Sequence, residues 1–401
     1  MTAPSPCIAC DASSVGKILD LGPRPPSNRY LRPGETVGDC HPLVLGHCQG
    51  CGHLQLIAPM PAALVRSRFP WISYNEPEAH LDAVVSEVMQ VLRLPETARL
   101  AGLTYKDDTT LRRFADHGCR YGYRPEPRLV FGTHDCAGLE SVQSTLTKAR
   151  CEELAKQFGA ADLVVFRHVL EHTLAPAQVL AALAKLLASG GHILFEVPDC
   201  RKFLRHQDYS FVWEDHISYF SEISLAGFIR RHGWEVVWSK AYPYALEDSV
   251  VLLARPASGE PPPSPTDPEL APDAMRAFGD GYAGVRGLVA AKLTAAHGAG
   301  KRIALFGAGH MAARFVSIYG LADLIAVAID DNPDKQGLFL PGSGIPIVGS
   351  AALADIDLCL LSVSPSSEAK LVEAHGAFGA CGGIFASIYA GSPLWLASRL
   401  P

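Results

Sequence analysis

Ala161-Asp162-Leu163-Val164-Val165-Phe166-Arg167-His168-Val169-Leu170-Glu171-His172 decides the fold. Its first six residues are apolar but for one acid, the pattern of a strand buried on both faces. Pro176 to Leu187 reads as a helix. Gly190 and Gly191 then turn the chain into a second apolar run, His192-Ile193-Leu194-Phe195-Glu196-Val197, closed by Pro198-Asp199. Strand, helix and strand at this spacing predict parallel neighbours joined by a crossover helix. Doubly wound sheets of that kind bind ligands beyond the carboxyl ends of their strands, which is where His168 falls. Ser249 to Leu253 reads as a late, antiparallel strand.

Around this unit the chain divides into five parts. Residues 1–65 carry paired cysteines, and 66–95 form a connecting helical segment with apolar residues at Leu81, Val84, Val85, Val88 and Leu92. Residues 96–255 are the α/β unit itself. Residues 256–272, rich in proline, are a linker, and 273–401 form a last α/β unit. A chain of 401 residues has ample apolar material for two or three cores. Its net charge of −6 argues against an electrostatic nucleic-acid binder. No apolar run approaches the roughly 20 residues that cross a bilayer, and residues 1–30 lack the basic start and apolar centre of a signal peptide. The expectation is a cytoplasmic protein that engages neither nucleic acid nor membrane.

Eleven cysteines, an odd number, do not suggest a disulfide scaffold in such a chain. Four of them form two knuckles, Cys7-x-x-Cys10 and Cys48-x-x-Cys51. Each knuckle brings two thiolates to one metal from a tight turn, and two knuckles complete a tetrahedral zinc site with no open position. The expected ion is therefore structural; redox pairs and coincidence are the competing accounts. Cys40, His47 and His53 are bystanders on this reading.

The octet Trp213-Glu214-Asp215-His216-Ile217-Ser218-Tyr219-Phe220 gathers two carboxylates, an imidazole and a phenol. Such a group can remove a proton and hold the resulting charge, with His216 as base, Asp215 and Glu214 beside it, and Tyr219 as oxyanion donor. It can equally be a buried polar corner with its hydrogen bonds satisfied. Tyr74 and Asn75, just before a helix, are placed for a ligand pocket or for capping.

Lys301 to Phe306 reads as a strand followed by Gly307-Ala308-Gly309-His310-Met311-Ala312 and a helix. Leu324 to Ile329 is the next strand, ending in Asp330-Asp331. Glycines at that turn admit a pyrophosphate to a helix N-terminus, which permits a dinucleotide site. A Rossmann-like unit that binds nothing is the plain alternative. Ser362 and Ser364 follow a strand, Leu358 to Leu361, at a ligand-facing edge.

The order strand, V-L-E-H, helix, L-L-x-x-G-G and a strand ending in E-V-P resembles the second half of a class I S-adenosylmethionine-dependent methyltransferase. The double CxxC, the octet and Asp331-Asn332-Pro333-Asp334-Lys335-Gln336-Gly337…Ile345-Pro346-Ile347 extend the resemblance to the sugar C-methyltransferases along nearly the whole chain. Those enzymes methylate a nucleotide-linked 4-keto-deoxysugar. The resemblance implies a zinc-binding β module, a doubly wound methyltransferase-like domain and a Rossmann-like C-terminal domain. It implies His216 as base, with Asp215 where the family has Glu, and Trp213 and Glu214 where it has Tyr and His. It implies S-adenosylmethionine near Gly102, Asp107, Asp108, Glu126 and His168, and a sugar nucleotide near Tyr74, Gly307, Gly309, Asp331 and Lys335. The family's glycine-rich turn is missing, however: Leu103-Thr104-Tyr105-Lys106-Asp107-Asp108 stands there, with Lys106 where bare backbone is expected. The alternative is a diverged member that no longer binds S-adenosylmethionine and either runs another reaction at the same site or only binds.

Overall fold

The computed structural model describes residues 6–12, 15–69, 71–72, 76–120, 122–126, 146–259, 262 and 265–401. Tyr74 and Asn75 lie outside the described residues. Three sheets organise the chain. The first holds β1 (Val15–Arg24), β2 (His41–Cys48), β3 (Leu54–Leu56) and β7 (Ser218–Tyr219) in that order. The second holds β4 (Leu100–Gly102), β5 (Ala161–Arg167), β6 (Leu187–Asp199), β9 (Asp248–Pro256) and β8 (Trp234–Tyr242). The third holds β12 (Ile347–Val348), β11 (Val327–Ile329), β10 (Ile303–Phe306), β13 (Leu358–Leu361) and β14 (Ile384–Ser387), parallel throughout.

The apolar run at β5 is the middle of the second sheet, parallel to β4 on one side and β6 on the other, and its core residues are fully buried. The late strand β9 is antiparallel to β6, as its position suggests. The Gly190-Gly191 pair does not end a helix and start a strand. β6 already begins at Leu187, after a short 3-10 turn, and Gly190 sits inside it at φ +76° where the pairing with β5 shifts register. A bulge there needs the left-handed backbone that glycine supplies most cheaply.

The linker leads into one long helix, Pro272–Gly298, that starts with proline in its first turn, where the missing N–H costs nothing. A single apolar core then joins parts far apart in sequence: Leu19 and Leu45 of the first sheet, Phe203, Tyr209 and Tyr219 of the octet's neighbourhood, and Phe315 and Tyr319 of the third unit. Among the described residues no helix is long and apolar enough to cross a membrane.

Candidate active site and zinc centre

The four cysteines Cys7, Cys10, Cys48 and Cys51 come together at one end of the first sheet. Tight turns present them: Asp11 N donates to Cys7 O and Gly52 N to Cys48 O, both at 2.9 Å. The Sγ atoms of Cys7 and Cys51 lie 3.7 Å apart, as do those of Cys10 and Cys48. Sulfurs at the corners of a tetrahedron around zinc, each bond about 2.3 Å, are separated by roughly 3.8 Å. The donor set and its geometry fit zinc. His47 and His53 take no part; His53 Nε2 instead meets Ser218 Oγ at 3.1 Å.

That contact is one of several between the zinc module and the octet. β3 pairs with β7, Leu54 opposite Tyr219 and Gln55 opposite Ser218, and Leu56 N donates to Ile217 O at 2.9 Å. From the other side Ile217 N donates to Glu171 O at 2.7 Å, so the octet is clamped between the zinc sheet and the turn that follows β5.

Within the octet the acids separate by role. Glu214 is an anchor: its carboxylate accepts from Ser27 N at 2.6 Å, from Ser27 Oγ at 2.5 Å and from Arg314 Nη1. Burial works against that charge, but Arg314 and Ser27 hold the carboxyl below its usual range. Arg314 also donates Nε to Ser210 O at 2.7 Å and lies over the Trp213 ring, 5.0 Å from its centre. Tyr219 is a strut: its hydroxyl donates to Trp213 O at 3.0 Å, and burial raises its pKa well above the normal value. It therefore does not stand free as an oxyanion donor.

Asp215 and His216 are both half-buried. Asp215 Oδ1 is buried with no hydrogen-bond partner among the described residues, and burial together with the Glu214 charge pushes its pKa up to about 7. An acid raised in the folded state destabilises progressively as pH climbs from its unfolded value toward its folded one. Asp215→Asn is thus expected to raise the melting temperature by several degrees at pH 8 and hardly at pH 4. An equal gain at both values would contradict the burial account. Burial, and next the neighbouring His172, depress the His216 pKa well below normal, so its ring is neutral at pH 7. The His216 ring centre lies 4.8 Å from that of His172, 5.6 Å from Trp213 and 6.3 Å from Tyr219. Trp213 in turn lies 6.3 Å from His310 at the start of the helix His310–Tyr319. His216 therefore sits between the carboxyl edge of the second sheet and the glycine turn of the third unit.

That glycine turn has the expected backbone. Gly307, at φ +96°, donates N–H to Ile329 O at 2.7 Å. The acid that meets the turn is Asp330, not Asp331: Ala308 N donates to Asp330 Oδ2 at 2.9 Å, while Asp331 Oδ1 accepts from Ser350 N. Lys335 pairs with the same Asp330 carboxylate at 2.6 Å. Gly309 caps the helix in extended conformation.

The carboxyl edge of the second sheet is filled by its own charges. Asp107 Oδ2 accepts from Leu103 N at 2.7 Å and Thr104 N at 2.8 Å, and Oδ1 accepts from Arg167 N at 3.0 Å. Gly102 has no room for a side chain, since a Cβ would stand 2.7 Å from that of Asp107. Lys106 is buried with Nζ 3.0 Å from Glu76. Arg167, fully buried, donates Nε to Glu196 and Nη1 to Lys106 O. His168, strained at φ +52°, touches Glu196 at 3.1 Å and Glu171 at 3.4 Å. Burial alone would lower the His168 pKa, but Glu76 and Glu196 hold it up at about 10. Asp108 pairs with Arg124 at 2.7 Å, and Glu126 is exposed just beyond Tyr123, which bridges Ala101. Of the residues expected around the cofactor, the structure thus gathers Gly102, Asp107 and His168 and leaves Asp108 and Glu126 at the rim. Sequence reading missed Ser27, Arg314, Glu76 and Glu196 as members of this region; each acts through a partner distant in sequence.

Three domain models match the chain: a zinc binding domain over residues 7–64, a methyltransferase domain over 92–239 and a C-methyltransferase C-terminal domain over 270–388. The chain has the domain set of the C-methyltransferases. It is 24% identical over 356 residues to the C-methyltransferase NovU of Streptomyces niveus, covering 85% of this chain and 84% of that one. Among solved structures, the 1,6-didemethyltoxoflavin-N1-methyltransferase of Burkholderia thailandensis, with 1,6-didemethyltoxoflavin and S-adenosylhomocysteine bound, matches 53% of this chain and 99% of its own at 14% identity and TM-score 0.32. A Geobacter sulfurreducens S-adenosylmethionine-dependent methyltransferase in complex with S-adenosylhomocysteine matches 43% of this chain and 90% of its own at 14% identity and TM-score 0.29. Methyltransferase domains of this class work with S-adenosylmethionine. In this chain the space beside Gly102, where that turn is expected, is filled by the Asp107 side chain. Lys106 and Arg167 bring two cations to this edge, each paired with a carboxylate, Glu76 and Glu196.

Proposed function

We propose that this enzyme removes a proton from the carbon beside a carbonyl in a small acidic substrate, a nucleotide-linked keto sugar, with His216 as the base. The observation that carries this reading is the place of the His216 ring, partly exposed, 4.8 Å from His172 and 5.6 Å from Trp213, between the second sheet and the third unit. A ring nitrogen of His216 takes the proton, and the electron pair moves from the C–H bond into the carbonyl, giving an enolate. Asp215 lies beside the acceptor, and the Arg314–Glu214 anchor fixes the backbone on which both are mounted. The glycine turn at Gly307 and Gly309, with Asp330 and Lys335 beside it, is suited to the nucleotide part. The likeness to NovU, a C-methyltransferase, supports carbon as the atom modified.

The filled carboxyl edge favours a second reading, in which the same base serves a reaction that ends in reprotonation. Calorimetry with S-adenosylmethionine separates the two: a binding heat supports methyl transfer, and its absence supports the diverged enzyme. Proton abstraction itself is tested without the cofactor. Solvent deuterium is expected to enter a nucleotide-linked 4-keto sugar beside its carbonyl, and His216→Ala is expected to slow this by about 10²–10⁴-fold. Because the His216 pKa lies well below its usual value, the wild-type rate should stay level as pH falls through 6.5. Undiminished exchange in the Ala variant would exclude His216 as the base.

A further inference from the structure

Next to the proposed base lies a group rich in acceptors, with His168 as its neighbouring cation. Glu171 and His172, in the 3-10 turn Leu170–His172, and His216 offer ligand atoms that all lie within 4.8 Å of one another. His172 Nδ1 donates to the backbone carbonyl of Asp215 at 2.8 Å, so Nε2 is the ring nitrogen left to serve a metal. Both Glu171 oxygens are buried with no hydrogen-bond partner among the described residues; His168 Nδ1 stands 3.4 Å from Oε1, and the carboxyls of Asp215 and Glu247 add negative charge nearby. His168 offsets part of that charge from one side, and the remaining carboxylate lone pairs are left for a second cation.

We propose that Glu171, His172 and His216 hold a divalent transition-metal ion of the zinc class, in addition to the four-cysteine zinc. The donor set of two imidazoles and one carboxylate is a zinc set, and with three protein ligands the fourth position stays open. An imidazole whose Nδ1–H is tied to a backbone carbonyl is oriented as metal-bound histidines are. Bonds of about 2.0–2.1 Å place tetrahedral ligand atoms roughly 3.3 Å apart. The ligand atoms, at most 4.8 Å apart, need to close by up to about 1.5 Å, and Glu171 and His172 share one short turn. His216 is half-buried, which gives the ion a way in. The ion and a substrate proton compete for the same His216 lone pair, so occupancy withdraws the base. The inference goes beyond the proton-abstraction reading and does not need it, because metal uptake is measured without turnover.

The test is a zinc titration of the full chain with the four-cysteine site already loaded, followed by calorimetry and by metal content after dialysis. One further equivalent is expected. Glu171→Gln, His172→Gln and the half-buried His216→Asn should each weaken it at least tenfold while the first equivalent remains. With Co²⁺ as probe, the second equivalent should add visible d–d absorption without a thiolate charge-transfer band. A chain that takes up a single ion overturns the proposal. So does a second equivalent that all three variants leave unchanged, since it would lie elsewhere. If the acceptors instead await substrate hydroxyls, the titration shows no second ion, which is the first of those results.

Discussion

Replacing Cys48 with Ser should release the zinc and, with it, most of the turnover at His216. Cys48 ends β2, and Cys7 and Cys10 reach it from a short segment held to the rest of the chain by Gln55 and His232. Structural zinc contributes apparent free energies of about 10–16 kcal/mol in zinc-finger peptides, far more than a small sheet gains from its own core. Without the ion the turns carrying the thiolates lose what orders them, and β2 and β3 lose their register. β3 is the strand on which Ser218 and Tyr219 are paired, and Leu56 holds Ile217 by its backbone. His216 is the next residue. The effect is therefore expected to travel from metal to strand to base. Zinc content should fall from one four-cysteine ion to none, the first thermal transition should drop by more than 10 °C, and deuterium exchange should be lost together with it. A zinc-free variant that melts and turns over like the wild type would show that the sheet stands without its metal.

The second large effect is at Glu196. Its carboxylate, with 2% of the side chain exposed, meets Arg167, His80 at 3.0 Å, His168 at 3.1 Å and Ser249 at 2.6 Å. Glu196→Leu leaves Arg167 and a charged His168 buried without that partner, at a cost of about 3–5 kcal/mol in urea unfolding of the second sheet. Replacing the pair together, Arg167→Met with Glu196→Leu, should recover most of that loss, because two buried charges are removed from the account at once. If the double variant is as unstable as the single one, the ion pair is not what the site needs. The pH dependence follows from the directions of the shifts. Burial opposes the Glu196 charge, but Arg167 and His168 hold its pKa well below normal, so its contribution is present above the ordinary carboxylate range and lost in acid. His168, held up at about 10, contributes fully below its unfolded value and loses that contribution as pH rises toward 10. Stability of the wild type should thus be greatest between those limits and flatter in the double variant.

Much of this fold can be read from the chain because its signals are local. β5 and β13 are short apolar runs that only a buried strand accommodates, and the knuckles announce themselves by spacing. The Gly190 bulge was hidden because a glycine pair marks a turn as readily as an irregular strand. Asp330 and Asp331 could not be told apart, since neighbouring residues at a strand end point to opposite sides and only the packing selects one. At the candidate site the proposed base, His216, is legible as a residue type among acids, whereas its supports are not. Glu214 looked like part of the acid–base set, yet Ser27 and Arg314 make it an anchor. Tyr219 looked like an oxyanion donor, yet its hydroxyl is spent on Trp213. Lys106 was visible as a cation in the wrong place for a cofactor turn, but its partner Glu76 was not.

The anchor on Glu214 sets an order of assembly. One carboxylate is grasped by Ser27 near the beginning of the chain and by Arg314 in its last third. During synthesis the zinc sheet and the second sheet can form while the helix carrying Arg314 is still unmade. At that stage Glu214 has half its partners, and the backbone on which His216 rides is untethered on one side. The backbone that carries the proposed base thus gains its second tether only from the last third of the chain.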